Sequence, residues 1–294
     1  MKAQKIGSWL LFTGLALIWG SSFILMKRAA QELTGWQIGA VRISAAALIL
    51  APAGIFHIWK VPVRKLPLIV LSGMLGNLFP AFLFATALEY HMDSSLASIL
   101  NSLTPLFVIA VGTLVFRMKV NTQKTIGVLL GFFGLVILTV SRSSISFTGL
   151  APTVLILIAT AMYGFNVNIV GRFLQGIEPL KIATVSMTII GIPAFVLMWQ
   201  QNIFPIFEND AAGRSAILQV ALLGIVGTAI ATILFYMLIQ KSGTLFASLV
   251  TYAIPIVGIG WGFLDGENIT ALQVVCLGVI LAGVFLANKK PKSV

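Results

Sequence analysis

Apolar runs long enough to cross a bilayer fill nearly the whole chain. A helix needs about 20 mostly apolar residues to span the hydrocarbon core. Lipid leaves the backbone only two ways to satisfy its hydrogen bonds, the helix and the closed barrel. The runs are continuous, whereas barrel strands alternate, so the sequence predicts an all-α integral membrane protein. Charges, prolines and glycines divide it into ten predicted transmembrane helices, near 7–28, 36–58, 66–90, 93–116, 123–141, 148–171, 179–201, 214–239, 243–264 and 270–288.

The composition agrees with a protein that lies in the lipid bilayer. The chain is 59% hydrophobic and 9% charged, with a mean hydropathy of +1.03, whereas soluble domains carry about 25% charged residues. A net charge of +11 could suggest a nucleic-acid partner. The basic residues, however, stand singly at the ends of apolar runs and form no patch, so we expect no nucleic-acid binding. The longest connection, 202–213, is too short for an inserted soluble domain.

Lysine and arginine are distributed unevenly between the two predicted sides of the membrane. With a cytoplasmic N-terminus, fourteen of them fall on the cytoplasmic side and four on the other, while Arg42 lies inside a span. Short cytoplasmic loops carry this excess in membrane proteins. Both termini are therefore predicted to be cytoplasmic. Lys2 and Lys5 resemble the start of a secretory signal, but Trp19-Gly20-Ser21-Ser22 is not a cleavage site, so we expect an uncleaved first helix.

The two halves of the chain resemble each other. A shift of 144 residues places Trp19-Gly20 on Tyr163-Gly164 and Arg28 on Arg172, and a shift of 150 places Ala97-Ser98 on Ala247-Ser248. The predicted units are residues 1–142 and 143–294, with five helices each. Because five is odd, the second unit must be inverted relative to the first. Inverted repeats are typical of secondary transporters, which work by alternating access to a site between the repeats.

Several short motifs resemble the EamA family of the drug/metabolite transporter superfamily. The resemblance covers nearly the whole chain, one unit per half. It implies a ten-helix carrier of small metabolites, often amino acids, in a cell membrane such as the bacterial inner membrane. It also implies that helices 1, 3, 4, 6, 8 and 9 surround a central cavity. The motifs are Trp19-Gly20-Ser21-Ser22-Phe23, Arg42 with Ala45-Ala46, Ala97-Ser98 running to Pro105, and Gly127 with Gly131 and Gly134.

Arg42 is the most costly polar residue inside a predicted span, and intramembrane ionisable groups are functional candidates by default. It lies about six residues into the second helix. A guanidinium there could bind a substrate carboxylate or phosphate in bidentate fashion. It could equally reach outward or bond carbonyls at helix ends. The equivalent residue of the second half, Ser186, is uncharged, so a symmetric pair of charges is not expected.

The fourth and ninth helices carry matched polar faces. Ser98 and Asn101 correspond to Ser248 and Thr251, and Tyr252 follows them. Spacings of three and four residues place such groups on one helix face. Two equivalent faces would form a neutral, hydrogen-bonding pocket, although such groups can also serve only helix packing. The other predicted substrate-binding residues are Trp19, Ser22, Asn77, Tyr163 and Asn166.

The absence of acidic residues from the predicted spans limits the possible transport mechanisms. No Asp or Glu lies in the middle of any predicted span. Proton-coupled export of cationic drugs generally requires a buried carboxylate, so that mechanism is disfavoured. Glu89, His91 and Asp93 could form a protonation site at the membrane surface, but a solvated loop is the simpler interpretation. No phosphate-cradling loop is present, so direct ATP coupling is not expected.

Other function classes receive little support. The two histidines, His57 and His91, lie at opposite predicted surfaces, and the single cysteine, Cys276, lies in an apolar run. We therefore expect no enzyme activity, no cofactor and no metal. A passive channel, or a membrane protein without transport activity, remains the alternative to a carrier. A homodimer is possible, but a monomer already contains both halves of the predicted site.

Overall fold

A computed structural model describes residues 2–117 and 147–288, with positions 123, 126–127, 129–131, 133–134 and 137 between them. Every regular element among these residues is helical. Before residue 117 the chain forms helices α1 to α6. The rest of the described chain forms α7 to α13. The bounds are α1 Lys2–Ala29, α2 Gly35–His57, α3 Leu66–Gly73, α4 Phe79–Glu89, α5 Ser94–Asn101, α6 Thr104–Leu114, α7 Phe147–Phe173, α8 Pro179–Gln200, α9 Ile203–Asn209, α10 Ala211–Leu223, α11 Ala231–Ser248, α12 Val250–Leu264 and α13 Ala271–Asn288.

Eight stretches of the described chain are long and apolar enough to cross a membrane. A ninth, shorter apolar stretch is Ala271–Gly283 of α13. The predicted helix 123–141 lies mostly outside the described residues. The eight spans are Ile6–Ala29, Gly35–Lys60, Val63–Glu89, Ser94–Leu114, Leu150–Phe173, Pro179–Gln200, Ala211–Thr244 and Phe246–Leu264.

Two of these spans contain a π-helix at equivalent places in the two halves. Met74–Leu78 joins α3 to α4, and Gly224–Ile230 joins α10 to α11. The 150-residue shift places the first segment directly on the start of the second. π-Helices are rare and often occur at functional sites. Both spans therefore have a locally widened turn in their middle.

Helix ends meet in two groups, one at each end of the bundle. At one end, which we call the Glu267 end, Lys27 of α1 contacts Glu267 beyond α12, and Gly35 at the start of α2 contacts Glu89 of α4. At the other, the Arg172 end, Arg172 of α7 contacts Phe116 beyond α6. Thus α1 finishes at the Glu267 end, whereas its counterpart α7 finishes at the Arg172 end.

Helices α2 and α8 form the closest pair across the two halves, and they run antiparallel. Gln37 at the start of α2 donates to the carbonyl of Gln201 after α8, at 3.1 Å. His57 at the other end of α2 lies 2.8 Å from the Thr184 hydroxyl near the start of α8. Gly54 permits this approach, because a Cβ atom there would lie 2.6 Å from the Thr184 carbonyl oxygen.

Candidate substrate-binding site

A cavity lies in the middle of the bundle, between helices of both halves. The centre of a water molecule can move through about 70 Å³ of it, several times the roughly 10–15 Å³ that one water requires. Eight of the eleven predicted site residues line it: Trp19, Ser22, Arg42, Asn77, Asn101, Tyr163, Asn166 and Thr251. The helices that contribute these residues come from positions throughout the sequence, so the cavity is a product of the tertiary fold.

Arg42 extends into this cavity from α2 and is only 8% exposed. Its Nε donates to the hydroxyl of Thr228 at 2.8 Å, and its Nη1 lies 3.3 Å from the sulfur of Met26. Thr228 belongs to the second π-helix, so Arg42 joins the two halves of the chain. Neither contact is with a helix-end carbonyl, and neither takes the side chain outward to the membrane surface.

A buried hydrogen-bond network forms the part of the wall around the first π-helix. Asn77 accepts a hydrogen bond from Thr232 at 2.8 Å. Asn166 accepts one from Ser72 at 2.7 Å, and Ser72 also lies 3.0 Å from the hydroxyl of Tyr236. Each contact pairs a residue of the first half with one of the second. Buried networks of this kind fix side-chain orientation because an unsatisfied member is costly.

Aromatic rings supply much of the remaining wall. The indole nitrogen of Trp19 donates to the carbonyl of Gly227 at 3.0 Å, and its ring meets Phe235 edge to face at 5.0 Å between centroids. Tyr163 is half-buried and stacks on Phe84 at 6.0 Å with an interplanar angle of 21°. Trp19 and Tyr163, which the repeat aligns, thus both present rings to one cavity.

The other three predicted residues, Ser98, Ser248 and Tyr252, are not among those that line the cavity. Ser98 is fully buried and donates to the carbonyl of Ser95 at 2.6 Å. Its hydroxyl lies so close to Gly258 that a side chain there would collide with it. Ser248 is also fully buried, and Tyr252 packs against the hydrophobic core. Ser98 therefore lies at the contact between the fourth and ninth predicted helices.

Sequence reasoning missed a polar face on the second-half helix that continues from the π-helix. Thr228, Thr232 and Tyr236 are four residues apart and all line the cavity. That spacing puts them on one side of a helix and was a signal in the sequence. Thr104 on α6, and the apolar Phe23, Met26 and Phe84, complete the wall without a comparable signal.

At the Glu267 end, four charged side chains form a cluster that links three helices. Lys27 Nζ lies 2.8 Å from Glu267 and 3.1 Å from Asp265, and Arg28 lies 2.9 Å from Asp265. Glu267 also accepts from the backbone N–H groups of Ser94 and Ser95 at the start of α5. Burial alone would raise the pKa of Glu267, but the hydrogen bonds from Lys27, Ser95 and Ser94 hold it at about 2.

The other predicted surface group consists of Glu89, His91 and Asp93. Glu89 accepts a hydrogen bond from the backbone N–H of Gly35 at 2.7 Å, which caps the start of α2. Among the described residues, no group of three or more His, Cys, Asp or Glu side chains is arranged to hold a metal ion.

These observations define a multi-pass helical membrane protein with a polar and aromatic cavity between its two halves. The chain matches the EamA-like transporter family over residues 6–140 and 151–289. It belongs to that family and is a membrane transporter.

Relatives of similar length carry names of the same kind. An uncharacterized transporter of Archaeoglobus fulgidus is 23% identical over 285 residues, covering 96% of this chain and 99% of that protein. The uncharacterized inner membrane transporter YedA of Escherichia coli K12 is 25% identical over 276 residues, covering 93% and 88%. A protein crystal structure superposes with a TM-score of 0.61 at 15% identity, covering 95% of this chain and 96% of that one, which supports the fold alone.

Proposed function

We propose that the chain is a secondary transporter that exports a small metabolite, such as an amino acid, by alternating access at the central cavity. In this proposal ten transmembrane helices form two inverted five-helix repeats, residues 1–142 and 143–294. The chain lies in a cell membrane, the inner membrane in a bacterium, with both termini in the cytoplasm. The observation that carries the proposal is a cavity with hydrogen-bonding walls drawn from both halves.

The directions of the helices support an inverted arrangement. Helices α1 and α7, which the 144-residue shift aligns, finish at different ends of the bundle. Helices α2 and α8, aligned by the same shift, run antiparallel. A carrier of this kind exposes its site alternately at each end as one half moves against the other. Different contacts hold the two ends together, so each end can open while the other stays closed.

Transport in proteoliposomes tests the proposal and separates it from a passive channel. The assay measures uptake of labelled amino acids, nucleosides and organic acids into vesicles with and without unlabelled compound inside. A carrier gives saturable uptake that a preloaded substrate accelerates. A channel gives uptake that preloading does not accelerate. Absence of protein-dependent flux across the whole panel would contradict a transport function for this cavity.

Asn101 and Ser98 offer a matched test of the site itself. Both lie on α5, one turn apart, but only Asn101 lines the cavity. Asn101→Ala should raise KM or lower kcat by about tenfold, the effect of losing a hydrogen bond of roughly 1.4 kcal/mol to the substrate. Ser98→Ala should leave transport near the wild-type rate. Equal transport by both variants would remove Asn101 from the site.

A further inference from the structure

The cavity contains a buried positive charge without a protein carboxylate to balance it. Arg42 is more than nine-tenths buried, and its side-chain contacts among the described residues are with the neutral hydroxyl of Thr228 and the thioether sulfur of Met26. All eight Asp and Glu residues of the chain fall within the described residues. None of them forms an ion pair with Arg42.

Such an arrangement is costly unless another group supplies the missing charge. A buried charge that has lost its partner destabilises a protein strongly. Intramembrane ionisable residues usually pair with one another or with backbone carbonyls, and they mark substrate pathways. A guanidinium has five N–H donors in a planar fork. Thr228 and Met26 engage only the Nε and Nη1 atoms, and Met26 does so through a weak sulfur acceptor. The Nη2 group of Arg42 has no acceptor among the described residues.

Two further donors lie in the same wall. The Tyr163 side chain lines the cavity, and its hydroxyl makes no hydrogen bond within the described part of the chain. The Oδ1 atom of Asn101 accepts a long hydrogen bond of 3.4 Å from the Thr104 hydroxyl. The amide N–H groups of Asn101 have no acceptor among the described residues. Together with the Nη2 group of Arg42, these are hydrogen-bond donors that an anionic oxygen ligand in the cavity can use.

We infer that the transported compound carries a carboxylate, which the Arg42 guanidinium binds inside the cavity, and that amines lacking a carboxylate are rejected. This inference rests on the proposed transport function. The planar carboxylate matches the guanidinium fork in bidentate geometry, and the remainder of the compound packs against Trp19, Phe84 and Phe235. A cationic amine in the cavity would be repelled by the positive charge of Arg42, and no carboxylate there would attract it. This repulsion selects against amines. A zwitterionic amino acid is one member of the accepted class.

Three compounds of one shape and different charge test the inference: 3-phenylpropionate, 3-phenylpropionamide and 3-phenylpropylamine. Flux into proteoliposomes and thermal stabilisation of the purified protein are measured for each. We expect saturable flux and stabilisation with the carboxylate and neither with the amine. Arg42→Gln should weaken the carboxylate response by about 30-fold or more, as expected when one partner of a buried charge pair is removed.

The control is Arg214→Gln. The Arg214 side chain lies on the exposed surface and donates to the backbone carbonyls of Phe207 and Glu208. This variant should respond to all three compounds as the wild type does. Without any added compound, Arg42→Gln should melt at or above the wild-type temperature, because the substitution removes an unbalanced buried charge. A purely structural Arg42 would instead lower the melting temperature.

The outcomes separate the inference from the transport proposal. Carboxylate-specific stabilisation that Arg42→Gln abolishes, without flux of any compound, would uphold the inferred ligand and contradict transport. Saturable flux of the amine or the amide equal to that of the carboxylate would uphold transport and overturn the inference. Carboxylate flux that is the same in Arg42→Gln and wild type would also overturn it. Neither flux nor stabilisation with the carboxylate would overturn the inference, whereas the transport proposal would then be decided by the panel of labelled amino acids, nucleosides and organic acids.

Discussion

Arg28 and Arg172 occupy equivalent places in the two halves, yet the ends of the bundle that they help to hold together differ in chemistry. Arg28 pairs with the carboxylate of Asp265 at 2.9 Å, beside the Lys27–Glu267 pair. Arg172 donates to the backbone carbonyl of Phe116 at 2.9 Å and lies over the Phe116 ring. The Glu267 end is thus joined by opposite charges, and the Arg172 end by a cation on a neutral acceptor.

Neighbouring contacts repeat this difference. At the Arg172 end, Lys65 donates to the carbonyl of Phe173 at 2.8 Å, and Gln240 donates to the carbonyl of Ile177 at 2.7 Å. Ion pairs respond to salt, protonation and loss of a partner, whereas hydrogen bonds to carbonyls respond much less. A repeated helix end can therefore keep its cation while the acceptor changes, and the contacts at the two ends should respond differently to salt and pH.

The largest expected effect is that of Glu267→Gln. The Glu267 side chain is 1% exposed and balances Lys27. Its replacement should lower the free energy of unfolding by about 3 kcal/mol, because a neutral Gln loses the charge-assisted hydrogen bonds that the two carboxylate oxygens accept from Lys27, Ser94 and Ser95. The melting temperature in lipid nanodiscs measures the change. Glu178→Gln is the control, because Glu178 forms an exposed pair with Lys181 at 2.6 Å and should show no clear change. Equal shifts in the two variants would remove the distinction between the ends.

A smaller effect should distinguish the two arginines by their response to salt. Arg28→Gln removes a partly exposed ion pair, so we expect a loss of less than about 1 kcal/mol that shrinks as ionic strength rises. Arg172→Gln removes a bond to a carbonyl, and its effect should change little with salt. Melting temperatures of both variants and the wild type, in low and high sodium chloride, test this. The same salt dependence in both variants would contradict the proposed difference.

The smallest effect is expected from pH in the physiological range. The pKa of Glu267 is lowered from 4.5 to about 2, so its stabilising contribution is fully present above about pH 4.5 and is lost as the pH falls towards 2. The melting-temperature difference between wild type and Glu267→Gln should therefore be constant from pH 5 to pH 8 and should shrink at pH 3. A difference that already shrinks between pH 7 and pH 5 would show that Glu267 titrates there and is not held by Lys27.

The positions of the spans could be predicted because bilayer thickness and apolar length are directly coupled. The sequence places a break between the predicted helices 214–239 and 243–264. In the structure, Gly243 interrupts the helix there, with φ 86° and ψ 160°. Membrane helices are apolar on nearly every face, however, so periodicity says little about which face meets a cavity. The spacing of Thr228, Thr232 and Tyr236 indicates a polar helix face, but it does not say that this face meets the cavity, so these residues were missed.

Ser98 and Asn101 were predicted to share one cavity-facing helix face, but only Asn101 lines the cavity. Helix α5 ends at Asn101, and α6 begins at Thr104. Asn101 therefore reaches the cavity, while Ser98 bonds its own backbone and packs against Gly258. The burial of Glu267 was also not predictable, because a charge that follows a span normally lies in water. Only the tertiary fold brings the start of α5 to its carboxylate.

The antiparallel contact of α2 with α8 has a consequence for how such a chain could be divided. A Cβ at Gly191 of α8 would collide with the Cβ of Ala47 in α2, and Gly54 of α2 also fits closely against α8. This contact joins the two halves, so fragments cut between them would have to find each other in the bilayer with α2 and α8 antiparallel. Co-expression of residues 1–142 with 143–294 should yield a stable complex only when both fragments insert correctly. A continuous chain makes that pairing intramolecular and fixes the ratio of the halves at one to one.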